Sequence, residues 1–251
     1  MSRVAVVQAR MGSSRLPGKV MAAIGGRPMI ELLLRRLAAA NRVDRVVVAT
    51  STASADDPLA AFVGSLGFAV HRGSEHDVLA RVIGAAGEAR SVVRITGDCP
   101  FTDPAVVDEV CAAFDAHAVD YASNVEPPTF PDGLDVEVVA LEALQAVATQ
   151  EHDARFREHV TLAIRERSRF RRINVFAPAD HSRLRWTVDE RRDLELARVV
   201  FERFAPRTDF GWREILAMAQ AEPHLFAGNA GIPRNEGMRM DEDAKRGRRE
   251  D

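Results

Sequence analysis

Short runs of β-branched apolar residues, each followed by a polar loop and then a helical pattern, constrain this chain more than any other feature. The first run, residues 3–9, carries Val4, Ala5, Val6 and Val7 without alternation. A strand buried on both faces of a parallel sheet reads that way. Pro28 then opens a helical pattern that sets Ile30, Leu33, Leu34 and Leu37 on one face. The theme recurs, with strands expected over residues 45–50, 68–71 and 91–96 and helices over 58–66, 77–89 and 104–114. This rhythm predicts an α/β fold with a doubly wound, mostly parallel sheet and helices on both faces. Ligands of such sheets lie in the crevice at the carboxyl ends of the strands. The polar loops there are the first places to look for chemistry.

After Asp120 the rhythm changes. Residues 124–133 read as a Pro-containing loop, 134–139 as a strand, and 141–148 and 154–167 as helices. Strands are expected over 170–176 and 184–188, and a long helix over 190–204. From Gly228 onward charge and glycine dominate, so residues 228–251 read as a charged tail, with disorder expected over 241–251. The remaining 1–227 read as one domain. A formal net charge of −3 gives no global attraction to nucleic acid or to an anionic membrane. No apolar run spans a bilayer, because Arg and Glu interrupt each one. Two cysteines, Cys99 and Cys111, supply neither zinc spacing nor a disulfide framework, which fits a reducing cytoplasm.

The loop after the first strand is Gln8-Ala9-Arg10-Met11-Gly12-Ser13-Ser14-Arg15-Leu16-Pro17-Gly18-Lys19. It combines three cations, two hydroxyls and the permissive backbone of Gly12 and Gly18. A triphosphate needs such a set: backbone N–H groups that can approach its oxygens, arginine forks and a lysine point charge. The loop is not a Walker A sequence. One extra residue separates the two glycines, and Val20 stands where the metal-binding hydroxyl would be. A dinucleotide G-x-G-x-x-G is also absent.

This opening, from Val6 to Val20, resembles the signature of the cytidylyltransferase family. That family includes acylneuraminate and 3-deoxy-manno-octulosonate cytidylyltransferases and a branch called spore coat polysaccharide biosynthesis protein F. The resemblance extends to about Leu196. It implies a Rossmann-like nucleotide-diphospho-sugar transferase fold. It also implies transfer of CMP from CTP to a sugar acid or related sugar, with Mg²⁺ as the metal. By the same resemblance, Arg10, Ser13, Ser14, Arg15 and Lys19 contact the triphosphate. Thr50, Arg72, Gly73, Ser74 and Arg81 surround base and ribose, although Arg81 also stands where an i,i+4 pair with Asp77 would form. The nucleotide half then covers about 1–118, an acceptor and dimerisation part about 119–183, and a closing strand and helices 184–227. A cytoplasmic homodimer acting on small molecules, with no nucleic-acid or membrane partner, is expected.

Carboxylates complete the reading. Thr96-Gly97-Asp98-Cys99-Pro100 puts Asp98 just past a buried strand, facing the crevice. Mg²⁺ held with a nucleotide takes only one or two protein carboxylates, and Asp98 is the first choice. Asp103, before Pro104, fits a helix cap better. Asp189 ends a strand pattern and precedes a long helix. That position suits a cap as well as a second metal ligand, the role the family resemblance implies. The family more often has Thr or Glu then Pro where Glu190 and Arg191 stand. Asp135 and Glu137, two apart on one strand face, could serve metal, sugar hydroxyls or an arginine such as Arg185, and are taken as acceptor-side or structural. His159, in a helix pattern, and Asn124, after Tyr121, are further acceptor candidates; the resemblance supports His159. Rival readings are a uridylyl- or guanylyltransferase using a sugar phosphate, and a glycosyltransferase of similar fold. The glycosyltransferase would want Asp-x-Asp, where this chain has Thr96-Gly97-Asp98.

Overall fold

The computed structural model describes residues 2–234. The chain opens with β1 (Arg3–Gln8), a small hairpin of β2 (Ala23–Ile24) and β3 (Arg27–Pro28), and α1 (Met29–Leu37). Next come β4 (Arg45–Ser51), α2 (Asp57–Ser65), β5 (Ala69–Gly73), α3 (Val78–Ala86), β6 (Ser91–Thr96) and α4 (Pro104–His117). The second half contains β7 (Tyr121–Ser123), β8 (Glu137–Ala140), α5 (Leu141–Gln150), α6 (Ala154–Glu158), α7 (Leu162–Glu166) and β9 (Arg172–Asn174). It ends with α8 (Arg191–Phe204), α9 (Trp212–Ala221) and α10 (Pro223–Phe226).

Seven strands form one sheet in the order β5-β4-β1-β6-β8-β7-β9. β1 pairs in parallel with both β4 and β6. β8 runs antiparallel to its neighbours β6 and β7, and β9 is parallel to β7. The sheet is therefore mostly parallel, as the unalternating apolar runs require. Val4, Ala5, Val6 and Val7 are fully buried. Ala5 and Val7 face a core that includes α1, α2, α4, α8 and α9. Val4 and Val6 face the other core, with α3, α5 and α7. Burying each valine stabilises the fold by about 1.5–3 kcal/mol.

The chain winds outward from β1 through β4 to β5, then crosses back to β6 on the other side of β1. The order reverses between β1 and β6, and a crevice opens at their carboxyl ends. Gly97 makes the close approach there possible. A Cβ at this residue would stand 2.8 Å from the Ala9 Cβ and 3.0 Å from the Gln8 carbonyl. Instead the Gly97 N–H donates to Gln8 O at 2.8 Å. Beneath the crevice, Phe101 stacks on Phe201 at 5.3 Å and meets Trp186 edge-on at 6.4 Å. These contacts seat the segments on either side of the site.

Four expectations need correction. The helix expected over 154–167 is two short helices, because Val160 adopts φ 49° and breaks the ladder. The strand expected over 184–188 reduces to one bridge between Asp132 and Arg185. Asp132 N–H to Leu184 O and Trp186 N–H to Asp132 O make that bridge, and beyond it the Val188 N–H donates to Asp98 O. The strand expected from 134 begins only at Glu137. The tail expected from 228 is also shorter than read. Asn229 is 3% exposed, and its side-chain amide donates to Asp193 and to Arg185 O. Residues 241–251 lie outside the described residues. Among the described residues, no helix is long and apolar enough to cross a membrane, and both cysteines are free and buried.

Candidate active site

Two cavities open at the β1–β6 crevice. An outer groove of about 970 Å³ runs between the first loop, the start of α3 and α6. Arg10, Ser13, Ser14, Arg15, Lys19 and Arg81 line it, as does Asp98. An inner cavity of about 250 Å³ is lined by Asp135, Glu137, Arg185 and Asp189 among others. Arg15, Thr96, Asp98 and His159 line both, so the two spaces meet at these side chains.

At the meeting point the charges converge. The Lys19 ammonium donates to Asp189 Oδ1 at 2.8 Å, to Val188 O at 2.8 Å and to Asp98 Oδ2 at 3.3 Å. Arg15 pairs with the same Asp189 oxygen at 3.0 Å. Burial opposes the Lys19 charge, but Asp98 and Asp189 outweigh it and hold its pKa above the ordinary value. Burial would likewise push the Asp98 carboxyl up. Lys19, with Thr96 and Cys99, brings it below the usual carboxylate range.

Asp189 is not the cap of α8. Glu190 holds the N-cap position, and Asp193 Oδ2 accepts from the Asp189 and Glu190 N–H groups at 3.0 and 2.9 Å. Asp193 thereby does the work at the helix start and leaves the Asp189 carboxylate to the crevice. Arg185 anchors this arrangement. Its guanidinium reaches Asp189 at 2.9 Å, Asp193 at 3.1 Å and Asp132 at 3.2 Å. Asp103 is the α4 cap, accepting from the Ala105 N–H at 2.8 Å.

The carboxylates of the 131–137 segment separate in role. Glu137 accepts from Tyr121 at 2.5 Å, from Thr161 at 2.6 Å and from Arg94. It holds the inner wall together, and Arg94 and Arg165 keep its carboxyl below the ordinary value although burial alone would raise it. Asp135 bonds Arg234. Burial, countered in part by Arg234, leaves its carboxyl pushed up to about 7. The arginine expected beside this pair, Arg185, goes to other aspartates.

Five expected contacts line neither cavity. Thr50 is fully buried. Arg72 donates to Ser51 O and Ala53 O and pairs with Asp57 at 2.6 Å, which ties down the exit of β4. Gly73 and Ser74 act on Arg81: a Cβ on Gly73 would sit 3.2 Å from its side chain, and Ser74 O accepts from it at 2.5 Å. Arg81 makes that bond and does not pair with Asp77, whose carboxylate caps α3 instead. Asn124 is spent on backbone, donating to Leu134 O and accepting from the Val136 N–H, both at 2.8 Å. Sequence reasoning passed over Arg94, Asp132, Arg165 and Arg234, all on the inner cavity. Asp132 sat inside the motif already singled out, whereas Arg234 lay in the stretch read as tail.

Among the described residues, no group of three or more His, Cys, Asp or Glu is placed to hold a metal ion. Two carboxylates are, however, the number Mg²⁺ takes when phosphate oxygens complete its shell. Asp98 and Asp189 both reach one cationic atom within 3.3 Å, and their hard oxygens suit that ion.

A doubly wound sheet with a cationic Gly-Ser loop and two aspartates at its switch point defines a nucleotidyltransferase. A sequence profile of cytidylyltransferases matches residues 4–205, and the chain belongs to the cytidylyltransferase family. It is 32% identical over 228 residues to the spore coat polysaccharide biosynthesis protein SpsF of Bacillus subtilis (strain 168), covering 87% of this chain and 94% of that one. A 3-deoxy-manno-octulosonate cytidylyltransferase of Geobacter sulfurreducens is 39% identical over 117 residues, 45% of each chain. The solved structure of a cytidylyltransferase from Leptospira borgpetersenii superposes with a TM-score of 0.86 at 27% identity, covering 94% of this chain and 98% of that one.

Proposed function

We propose that this cytidylyltransferase transfers CMP from CTP to a hydroxyl of a sugar acid or related sugar, with Mg²⁺, releasing pyrophosphate for surface polysaccharide or glycoconjugate synthesis. One observation carries the reading: the outer groove and the inner cavity meet at Arg15, Thr96, Asp98 and His159. A nucleotide in the groove and an acceptor in the cavity would bring the α-phosphorus and the attacking oxygen together there. Arg10, Ser13, Ser14, Arg15 and Lys19 face the triphosphate, with Arg81 toward the nucleoside.

Asp98 and Asp189 are the residues that would hold Mg²⁺, which when bound supplies Lewis-acid polarisation of the α-phosphate and a lowered pKa for the acceptor hydroxyl. Catalysis by the chain itself is positioning and electrostatics. Arg15 and Lys19 neutralise the departing pyrophosphate. Asp193 and Arg185 fix the orientation of Asp189, and Glu137 fixes Thr161 and Arg94 in the acceptor wall. We take the enzyme as a cytoplasmic homodimer through the 119–183 part; sedimentation tests the dimer.

The deciding experiment supplies Mg²⁺ and each nucleoside triphosphate against a panel of sugar acids and sugar phosphates, and measures pyrophosphate. Release from CTP with a sugar acid is expected. Release only from UTP or GTP with a sugar phosphate would overturn the assignment in favour of the uridylyl or guanylyl alternative.

A further inference from the structure

The cytidylyltransferase profile stops at residue 205, yet the segment that follows α10 returns to the inner cavity. Two buried residues, Asn229 and Ile232, seat it. The Asn229 amide donates to Arg185 O at 3.1 Å and to Asp193 at 2.9 Å. Arg234 then enters the cavity wall. Its guanidinium donates to Asp135 and, at 3.2 Å, to Phe130 O, and lies 3.9 Å from Asp132. Asp132 in turn accepts from Arg185 at 3.2 Å. Arg234 thus stands between two aspartates of the Pro131–Glu137 segment and is the cation that both share.

Burial pushes the Asp132 and Asp135 carboxyls up, and at each of them Arg234 is the largest charge opposing it. Without the guanidinium the two desolvated groups would repel each other, and would take up protons or turn away. With it, the ionised form is favoured and the side chains are held. An ionised carboxylate only accepts, at about four lone-pair sites, and Arg234 and Arg185 fill part of these. What remains suits hydroxyl groups, which donate, and repels an anionic group. The space, about 250 Å³, is that of roughly eight liquid waters, room for one sugar ring.

We propose that Arg234 is a positioning residue of the acceptor site: it holds Asp132 and Asp135 so that their free oxygens accept the hydroxyls of the acceptor sugar. The inference rests on the reading of the inner cavity as the acceptor site. Calorimetric titration of the full chain with 3-deoxy-manno-octulosonate, with CDP and Mg²⁺ present, tests it beside the kinetics of pyrophosphate release. Arg234→Ala should weaken binding of this sugar about tenfold, the loss of one hydrogen bond to a charged group. Its KM should rise alike, while kcat and the KM for CTP stay unchanged. Arg234→Lys keeps the charge but not the fork; it should be intermediate, and it decides the matter if the alanine variant does not fold. Asp135→Asn should also weaken binding. The double variant Arg234→Ala/Asp135→Asn should bind no more weakly than the worse single one, because the two residues act as a unit. Additive losses would mean that Arg234 meets the sugar itself, and would overturn the proposal. Native affinity in Arg234→Ala, or in Arg234→Lys should alanine not fold, overturns it as well. So does a fallen kcat with an unchanged KM for the sugar, which would put the effect on Asp189 through Arg185. If the native chain does not bind the sugar, the acceptor reading of the cavity falls and takes the inference with it; native binding with unaffected variants sinks the inference alone.

Discussion

Removing the Lys19 ammonium should expose how the site is held. In Lys19→Met, the carboxylates of Asp98 and Asp189 lose the cation 3.3 and 2.8 Å away. Breaking a buried ion pair from one side costs about 3–5 kcal/mol. Asp189 keeps Arg15 at 3.0 Å and Arg185 at 2.9 Å, and the Asp98 side chain is 26% exposed, so the lower end applies, about 3 kcal/mol. At about 2–4 °C per kcal/mol for a chain of this size, Tm should fall by roughly 6–12 °C at pH 7. The sign with pH follows from Asp98. Burial raises its carboxyl, and Lys19 reverses that to a net depression. A depressed folded pKa contributes stability above the unfolded value near 4, and that contribution is lost as pH falls through the folded value. Without Lys19, burial dominates and charged Asp98 is a liability at neutral pH. The Tm deficit of Lys19→Met should therefore be largest near pH 7 and narrow towards pH 4. Scanning calorimetry of both proteins across this range measures it. A deficit under about 2 °C at pH 7, or one that is flat with pH, would refute the argument.

Other consequences are as direct. Asp98→Asn should lower turnover at least about a hundredfold, near 3 kcal/mol of transition-state stabilisation, with an unchanged circular dichroism spectrum. Chelation with EDTA should stop pyrophosphate release, and excess Mg²⁺ should restore it. Asp135, its carboxyl pushed up to about 7 by burial, contributes stability that is complete below the unfolded value near 4 and is lost as pH rises through about 7. Asp135→Asn should therefore gain Tm over the native protein progressively between those values and hold the difference above them. Gly133 has φ 105°, and a Cβ there would lie 2.6 Å from Thr187 N, so Gly133→Ala should cost at least about 1–3 kcal/mol, read as a lower Tm.

The nucleotide half was legible because its strands are local. Val4–Val7 and Val46–Val48 carry their burial in composition alone, and Asp98 follows from its place after such a run. Residues 154–167 misled because nothing in them signals a break: no Gly or Pro interrupts them. The chain turns at Val160, a buried β-branched residue with positive φ, and Thr161 reaches Glu137, 24 positions earlier. Tertiary contacts outweigh helix propensity there. Asn124 deceived in another way. A polar residue at a strand end looks available to ligand, yet its side-chain amide pairs with Leu134 and Val136 as a backbone would. That substitution also explains why the next strand starts late. Arg234 escaped notice because charged composition near a terminus reads as solvated, and its partner Asp135 is 99 positions away.

The order in which the polypeptide is made gives the Arg185 anchor a further meaning. Lys19 and Asp98 emerge from the ribosome well before Asp189, its guanidinium tether and the amide of Asn229. N-terminal portions of growing chains fold first. A polypeptide halted after residue 183 would therefore display the cationic loop with only one of its two acidic counterparts, and enzymatic competence would wait until Asp189 and Asn229 have been made.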